Sequence, residues 1–113
     1  MEHLLQQVRN ALAETRQQMK SLSQGTGDSQ VLELRVEENL QQMEQDCYRL
    51  ENYARKEIPQ RRQEAKYRVD QEVAEVNDLK RAFQGFKHHK ENAELEARQR
   101  EELLSRRFVT NVS

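Results

Sequence analysis

Apolar residues recur along most of this chain at alternating intervals of three and four, the period of a helix that turns one face toward its neighbours. Over roughly residues 2–23 the seam runs through Leu5, Val8, Leu12, Met19 and Leu22, with Thr15 at its one polar step. Leu4 and Ala11 widen that stripe toward a face able to meet two neighbours. From about residue 28 to Glu57 the same period passes through Leu32, Val36, Leu40, Met43, Cys47, Leu50 and Ala54, leaving Tyr48 and Tyr53 on its margins. A third and longer stretch carries Ala65, Val69, Val73, Val76, Leu79, Phe83 and Phe86. Strict alternation of apolar and polar residues is nowhere sustained, so the pattern predicts helices and no strand.

Two interruptions divide the stripes. Gly25 and Gly27 lie in the polar run Ser23–Asp28, where Asp28 or Ser29 can accept from a free N–H of the next helix's first turn. Pro59, the one proline, disfavours helical geometry at Ile58 and suits the first turn of a new helix. Breaks this short make neighbouring helices reverse direction. The fold expected is therefore all-α, an antiparallel three-helix bundle over residues 1–86 with an extended third helix. Beyond Phe86 the seam lapses: Lys87-His88-His89-Lys90-Glu91-Asn92 is polar all round. Residues 87–113 read as a helical extension and linker, with extended chain expected from Ser105 onward.

Composition adjusts this picture in three places. Charged and hydrophobic residues each make up 35% of the 113 residues and aromatics 5%. So polar a chain could be disordered, and the register of the stripes argues against it. Nineteen basic residues against twenty acidic ones (Lys+Arg 19, Asp+Glu 20) leave a net charge of −1, which provides no field for nucleic acid or an anionic membrane. A lone cysteine, Cys47, suits a reducing compartment. No run approaches the roughly 18 apolar residues of a membrane span, and Met1-Glu2-His3-Leu4-Leu5 is not a signal peptide. These features lead us to expect a soluble, cytosol-facing chain.

Candidate chemistry is sparse. Adjacent His88 and His89 point about 100° apart on a helix and cannot grip one ion together. Cys47 lies in the apolar stripe with Met43, Glu44, Leu50 and Glu51 as helical neighbours, none of them a base suited to activating it. No glycine-rich phosphate loop occurs. Neither a catalytic site, a metal nor a cofactor is expected. What remains is surface: a basic turn around the second break, with Arg61, Arg62 and Lys66 flanking the seam, is the candidate protein-binding site.

Two stretches carry a resemblance. Gln63-Glu64-Ala65-Lys66-Tyr67-Arg68-Val69-Asp70-Gln71, preceded by a proline and a basic turn, closely resembles the start of the third N-terminal helix in membrin-type Golgi Qb-SNAREs. Gln99-Arg100-Glu101-Glu102-Leu103-Leu104-Ser105-Arg106, followed by Phe108, Thr110 and Asn111, looks like the same family's passage out of that helix. Glu2-His3-Leu4-Leu5-Gln6-Gln7 weakly echoes its opening, whereas Glu72–Leu79 departs from it. The resemblance implies the N-terminal regulatory domain of a tail-anchored SNARE on the cytosolic face of Golgi and ER–Golgi intermediate membranes. The SNARE motif and C-terminal membrane anchor would lie outside these residues. It implies Qa-, Qc- and R-type Golgi SNAREs as partners of the full-length protein, with tethering or coat factors as further candidates. The rival reading is a structural, spectrin-like helical spacer, against which the absence of an internal repeat counts.

Overall fold

The computed structural model describes the backbone of residues 1–112 and the side chains of residues 1–107. Three helices follow one another: α1 (Glu2–Gln24), α2 (Ser29–Arg55) and α3 (Pro59–Val112), with no strand among the described residues.

Each junction has a local cause. Gly25 ends α1 in the left-handed region (φ 69°), where a side chain would be strained. Its N–H donates to the Leu22 carbonyl and that of Thr26 to the Ser21 carbonyl, which satisfies two of the carbonyls a helix end leaves bare. Asp28 caps α2, its Oδ1 accepting from the N–H groups of Gln30 (3.1 Å) and Val31 (3.3 Å). After Lys56 the chain turns over Glu57 and Ile58, and Pro59 opens α3 as its first residue. The guanidinium of Arg62 reaches back across this turn, donating from Nε and Nη2 to the Glu57 carbonyl at 3.3 and 3.2 Å.

The chain forms two compact units, Met1–Lys80 and one from Arg81 onward. In the first, α1 and α2 are antiparallel, and α3 returns antiparallel to α2 and parallel to α1. The direction shows in the cross-links. Glu2, Arg9 and Arg16 of α1 pair in ascending order with Arg68, Glu72 and Glu75 of α3. Asn39 donates to Gln18 at 3.0 Å between α2 and α1, and Lys80 pairs with Glu44 at 2.6 Å between α3 and α2.

The core is built on the helical stripes. Leu5, Val8, Leu12, Leu22, Val36, Leu40, Met43, Cys47, Leu50, Val69, Val76 and Leu79 are buried, while Met19, Leu32 and Val73 are half-buried. Burying a side chain of this kind fully contributes about 1.5–3 kcal/mol. Thr15 is fully buried as well, because its Oγ1 donates to the Ala11 carbonyl one turn back at 2.7 Å and leaves only its methyl to be packed. On α3 the buried steps are Ala65, Val69, Glu72, Val76 and Leu79, at regular intervals of four and three. A carboxylate thus occupies a core step, with the apolar Val73 displaced to the edge.

In the second unit Phe83 is buried and Phe86 half-buried, and the Lys87 ammonium lies 5.3 Å from the centre of the Phe83 ring. Every residue from Glu91 to Arg107 is exposed. Helix continues to Val112, where extended chain is expected from Ser105. Ser113, and the side chains from Phe108 on, lie outside the described residues. The helix persists because Glu101–Arg107 is rich in good helix formers and free of proline and glycine.

Candidate interaction surface

The faces between the helices of the first unit differ in how they are closed. Between α1 and α3 lies a ladder of ion pairs. Glu2, Arg9 and Arg16 recur every seven residues on α1 and so share one edge. Glu2 takes a two-pronged contact from Arg68, with Nη2–Oε2 at 2.7 Å. This hydrogen bond lowers the Glu2 carboxyl below its ordinary pKa and raises Arg68 above its own. Arg9 Nε meets Glu72 Oε1 at 2.7 Å, and Arg16 meets Glu75 at 3.5 Å.

Between α2 and α3 the surface is open. Tyr48, Glu51 and Arg55 form one wall along α2, at intervals of three and four, and Lys66, Asp70, Val73 and Asn77 form the other along α3. The floor is apolar: Ala54 and Val69 at one end, Cys47 and Val76 at the other. The two hollows, about 520 Å³ and about 270 Å³, both border Glu51 and run on from one another. Arg55 and Glu51 lie 3.9 Å apart along the α2 wall. Tyr48 is 65% exposed, an aromatic ring offered to whatever the groove meets.

The candidate binding residues divide over this surface. Arg62 and Lys66 line the larger hollow of the α2–α3 groove. Arg61 faces elsewhere and lines a separate, more polar hollow of about 390 Å³ with Met1, Glu2, Glu57, Glu64, Ala65 and Arg68. One step along a helix turns a side chain by about 100°, enough to send Arg61 and Arg62 to different faces. Arg62 is also committed to the turn through the Glu57 carbonyl, and Arg55 pairs with Glu51 along its own wall, so Lys66 is the cation that the groove presents most freely. The sequence does not single out Tyr48, Glu51 and Asp70 as lining residues, and it places Val73 on the seam, whereas the structure sets Val73 at the groove's edge. The signal of the first three was available, since they fall one step off the buried seam of their helices.

Cys47 on the groove floor is a structural thiol. Burial, assisted by the carboxylates of Glu51, Asp46, Glu72 and Glu44, pushes its pKa up to about 11, so it is protonated at neutral pH. Among the described residues no cluster of His, Cys, Asp and Glu could hold a metal, and no helix is long and apolar enough to cross a membrane.

Residues 1–106 match the family model described as "BOS1/GOSR2/MEM11, N-terminal domain". The chain belongs to this family. Golgi SNAP receptor complex member 2 of Mus musculus is 38% identical over 114 residues, which cover 100% of this chain and 54% of that protein. The probable Golgi SNAP receptor complex member 2 of Drosophila melanogaster is 30% identical over 112 residues, or 98% of this chain and 52% of the fly protein. The chain thus spans about half the length of these curated relatives. No solved structure matches it significantly. The family match takes in all three helices, including the Glu72–Leu79 block and most of the polar extension, and so reaches well beyond the two stretches from which the resemblance was read.

Proposed function

We propose that this chain is the non-enzymatic N-terminal regulatory domain of a membrin-like Golgi SNARE that acts in ER–Golgi and intra-Golgi vesicle transport. The observation that carries this reading is the family match over residues 1–106, joined to 38% identity to a mouse Golgi SNAP receptor complex member across the whole chain. In a parent of the relatives' length, a SNARE motif and a membrane anchor would follow these residues. The parent would pair with Qa-, Qc- and R-type SNAREs on the cytosolic face of Golgi and ER–Golgi intermediate membranes. The domain itself contributes a surface, through which tethering or coat factors or the other SNAREs influence assembly and location.

The α2–α3 groove is the contact surface that best fits this role. Its walls flank the seam without belonging to it, so Arg55, Lys66 and Tyr48 are free to be chosen for a partner while the core keeps the fold. Such a domain should not itself enter the four-helix fusion complex. The test adds the isolated chain in trans to full-length Golgi SNAREs and looks for it in the SDS-resistant complex. We expect it to be absent from that complex. Its incorporation would overturn this division of roles.

A further inference from the structure

Lys90, Glu94, Arg98, Glu102 and Arg106 stand four residues apart and alternate in charge without a break. Residues four apart are neighbours on a helix, and opposite charges there favour the helix. The last rung is closed, with Arg106 Nη2 2.6 Å from Glu102 Oε1. Lys87–Glu91 and Glu96–Arg100 add pairs of the same spacing outside the row.

The remaining residues suit the same end. Between Lys87 and Arg107 there is no glycine, proline or β-branched residue, and Ala93, Leu95, Ala97, Gln99, Leu103 and Leu104 are strong helix formers. There is no seam for a partner. Leu95, Leu103 and Leu104 are 48%, 63% and 65% exposed, and on a helical wheel the latter two stand roughly 80° and 180° from Leu95. Residues 81–86 of the same unit are helical and include the buried Phe83, so the row does not have to nucleate helix by itself.

We infer that residues 90–106 form a free-standing helix held by this charge ladder, and that its function is that of a stiff spacer. At 1.5 Å per residue it sets its own ends about 24 Å apart. A flexible linker of the same length would let them approach. A helix that is polar all round either bridges solvent in this way or is not a stable helix at all, and the unbroken ladder is what favours the first outcome.

The test uses the full chain, labelled with ¹³C and ¹⁵N, with Cα shifts and backbone order parameters read over residues 90–106. Helical shifts at low salt, unchanged on tenfold dilution, are expected, with order parameters near the rigid value of about 0.85 rather than below about 0.6. Arg98→Glu places three acids in succession and should remove about half of the helical shift there. Unit-one signals, read in the same spectra, should stay unchanged. Inverting the row (Lys90→Glu, Glu94→Arg, Arg98→Glu, Glu102→Arg, Arg106→Glu) should restore it. Coil shifts in the unaltered chain would overturn the inference. So would helix that survives Arg98→Glu in full, or helix that grows with concentration, which would mean that a second copy supports it.

Discussion

Removing Arg9 should cost far more stability than removing the buried acid it serves. Glu72 occupies a core step of α3 with its side chain 8% exposed, whereas the Arg9 side chain is 46% exposed. Oε1 of Glu72 takes the Arg9 bond at 2.7 Å, and Oε2 is buried without a hydrogen-bond partner. In Arg9→Ala both carboxylate oxygens would be left in the core. Breaking a fully buried pair costs about 3–5 kcal/mol, and water entering from the half-open Arg9 side reduces this to about 2–3 kcal/mol. In Glu72→Leu the charged hydrogen bond is lost, at about 1.5–3 kcal/mol. The gain from burying an apolar side chain is similar, about 1.5–3 kcal/mol, and the orphaned oxygen goes with the carboxylate. Arg9 can turn into water. The net change for Glu72→Leu should lie within about 1 kcal/mol of zero. The double variant should resemble Glu72→Leu alone, which makes the coupling comparable to the whole Arg9→Ala loss. The chain has no tryptophan, so urea unfolding is followed by circular dichroism at 222 nm through its cooperative part. With a slope of about 1–2 kcal/mol per molar, Arg9→Ala should lower the midpoint by about 1–3 M. Equal midpoints for the two single variants, or a larger loss in Glu72→Leu, would refute the reasoning.

Four further outcomes follow from the core and the caps. Leu40, 5% exposed at the centre of α2, should cost about 2–5 kcal/mol as Leu40→Ala in the same titration. Gln42→Ala should cost about 0.5–1.5 kcal/mol, because the exposed Gln42 donates to the buried Asp46 at 3.1 Å. Asp28→Ala should lose about 0.5–2 kcal/mol by freeing the N–H groups of Gln30 and Val31. The Cys47 thiol is held up to about 11 from an ordinary 9.0, so the unfolded chain loses that proton first. Its contribution is therefore fully present below about pH 9 and fades as the pH rises toward 11. Cys47→Ala should flatten that part of the stability-against-pH curve, and a curve unchanged by the substitution would contradict the burial argument.

The helices and their breaks were legible because each rests on a local rule. The three-and-four period of Leu5 to Leu22 and of Val36 to Ala54 needs only helix geometry, and Gly25 and Pro59 act through their own backbones. Spacing placed Thr15 on the seam too, where it satisfies its hydroxyl within its own turn. What escaped a reading by residue type were the buried carboxylates. Asp46 finds its partner one turn away, in Gln42. Glu72 is buried because Arg9 arrives from another helix, sixty-three positions away in the chain, and no local pattern contains that. The candidate surface was legible as a basic turn, yet its division was not. Arg61 and Arg62 are adjacent in sequence, and only the packing of α1 and α2 on α3 decides which groove each enters. The helical extension beyond Phe86 was expected, but its continuation from Ser105 to Val112 was not, because Phe108, Val109, Thr110 and Val112 favour extended chain by residue type.

The most direct test of the central claim removes residues 1–86 from the full-length parent and measures, in the same cells, where the protein resides and how fast its SNARE complex assembles. The four-helix complex should still form while its rate of assembly, or the Golgi location of the protein, changes. An unaltered rate together with an unaltered location would contradict that claim and leave the bundle as a spacer.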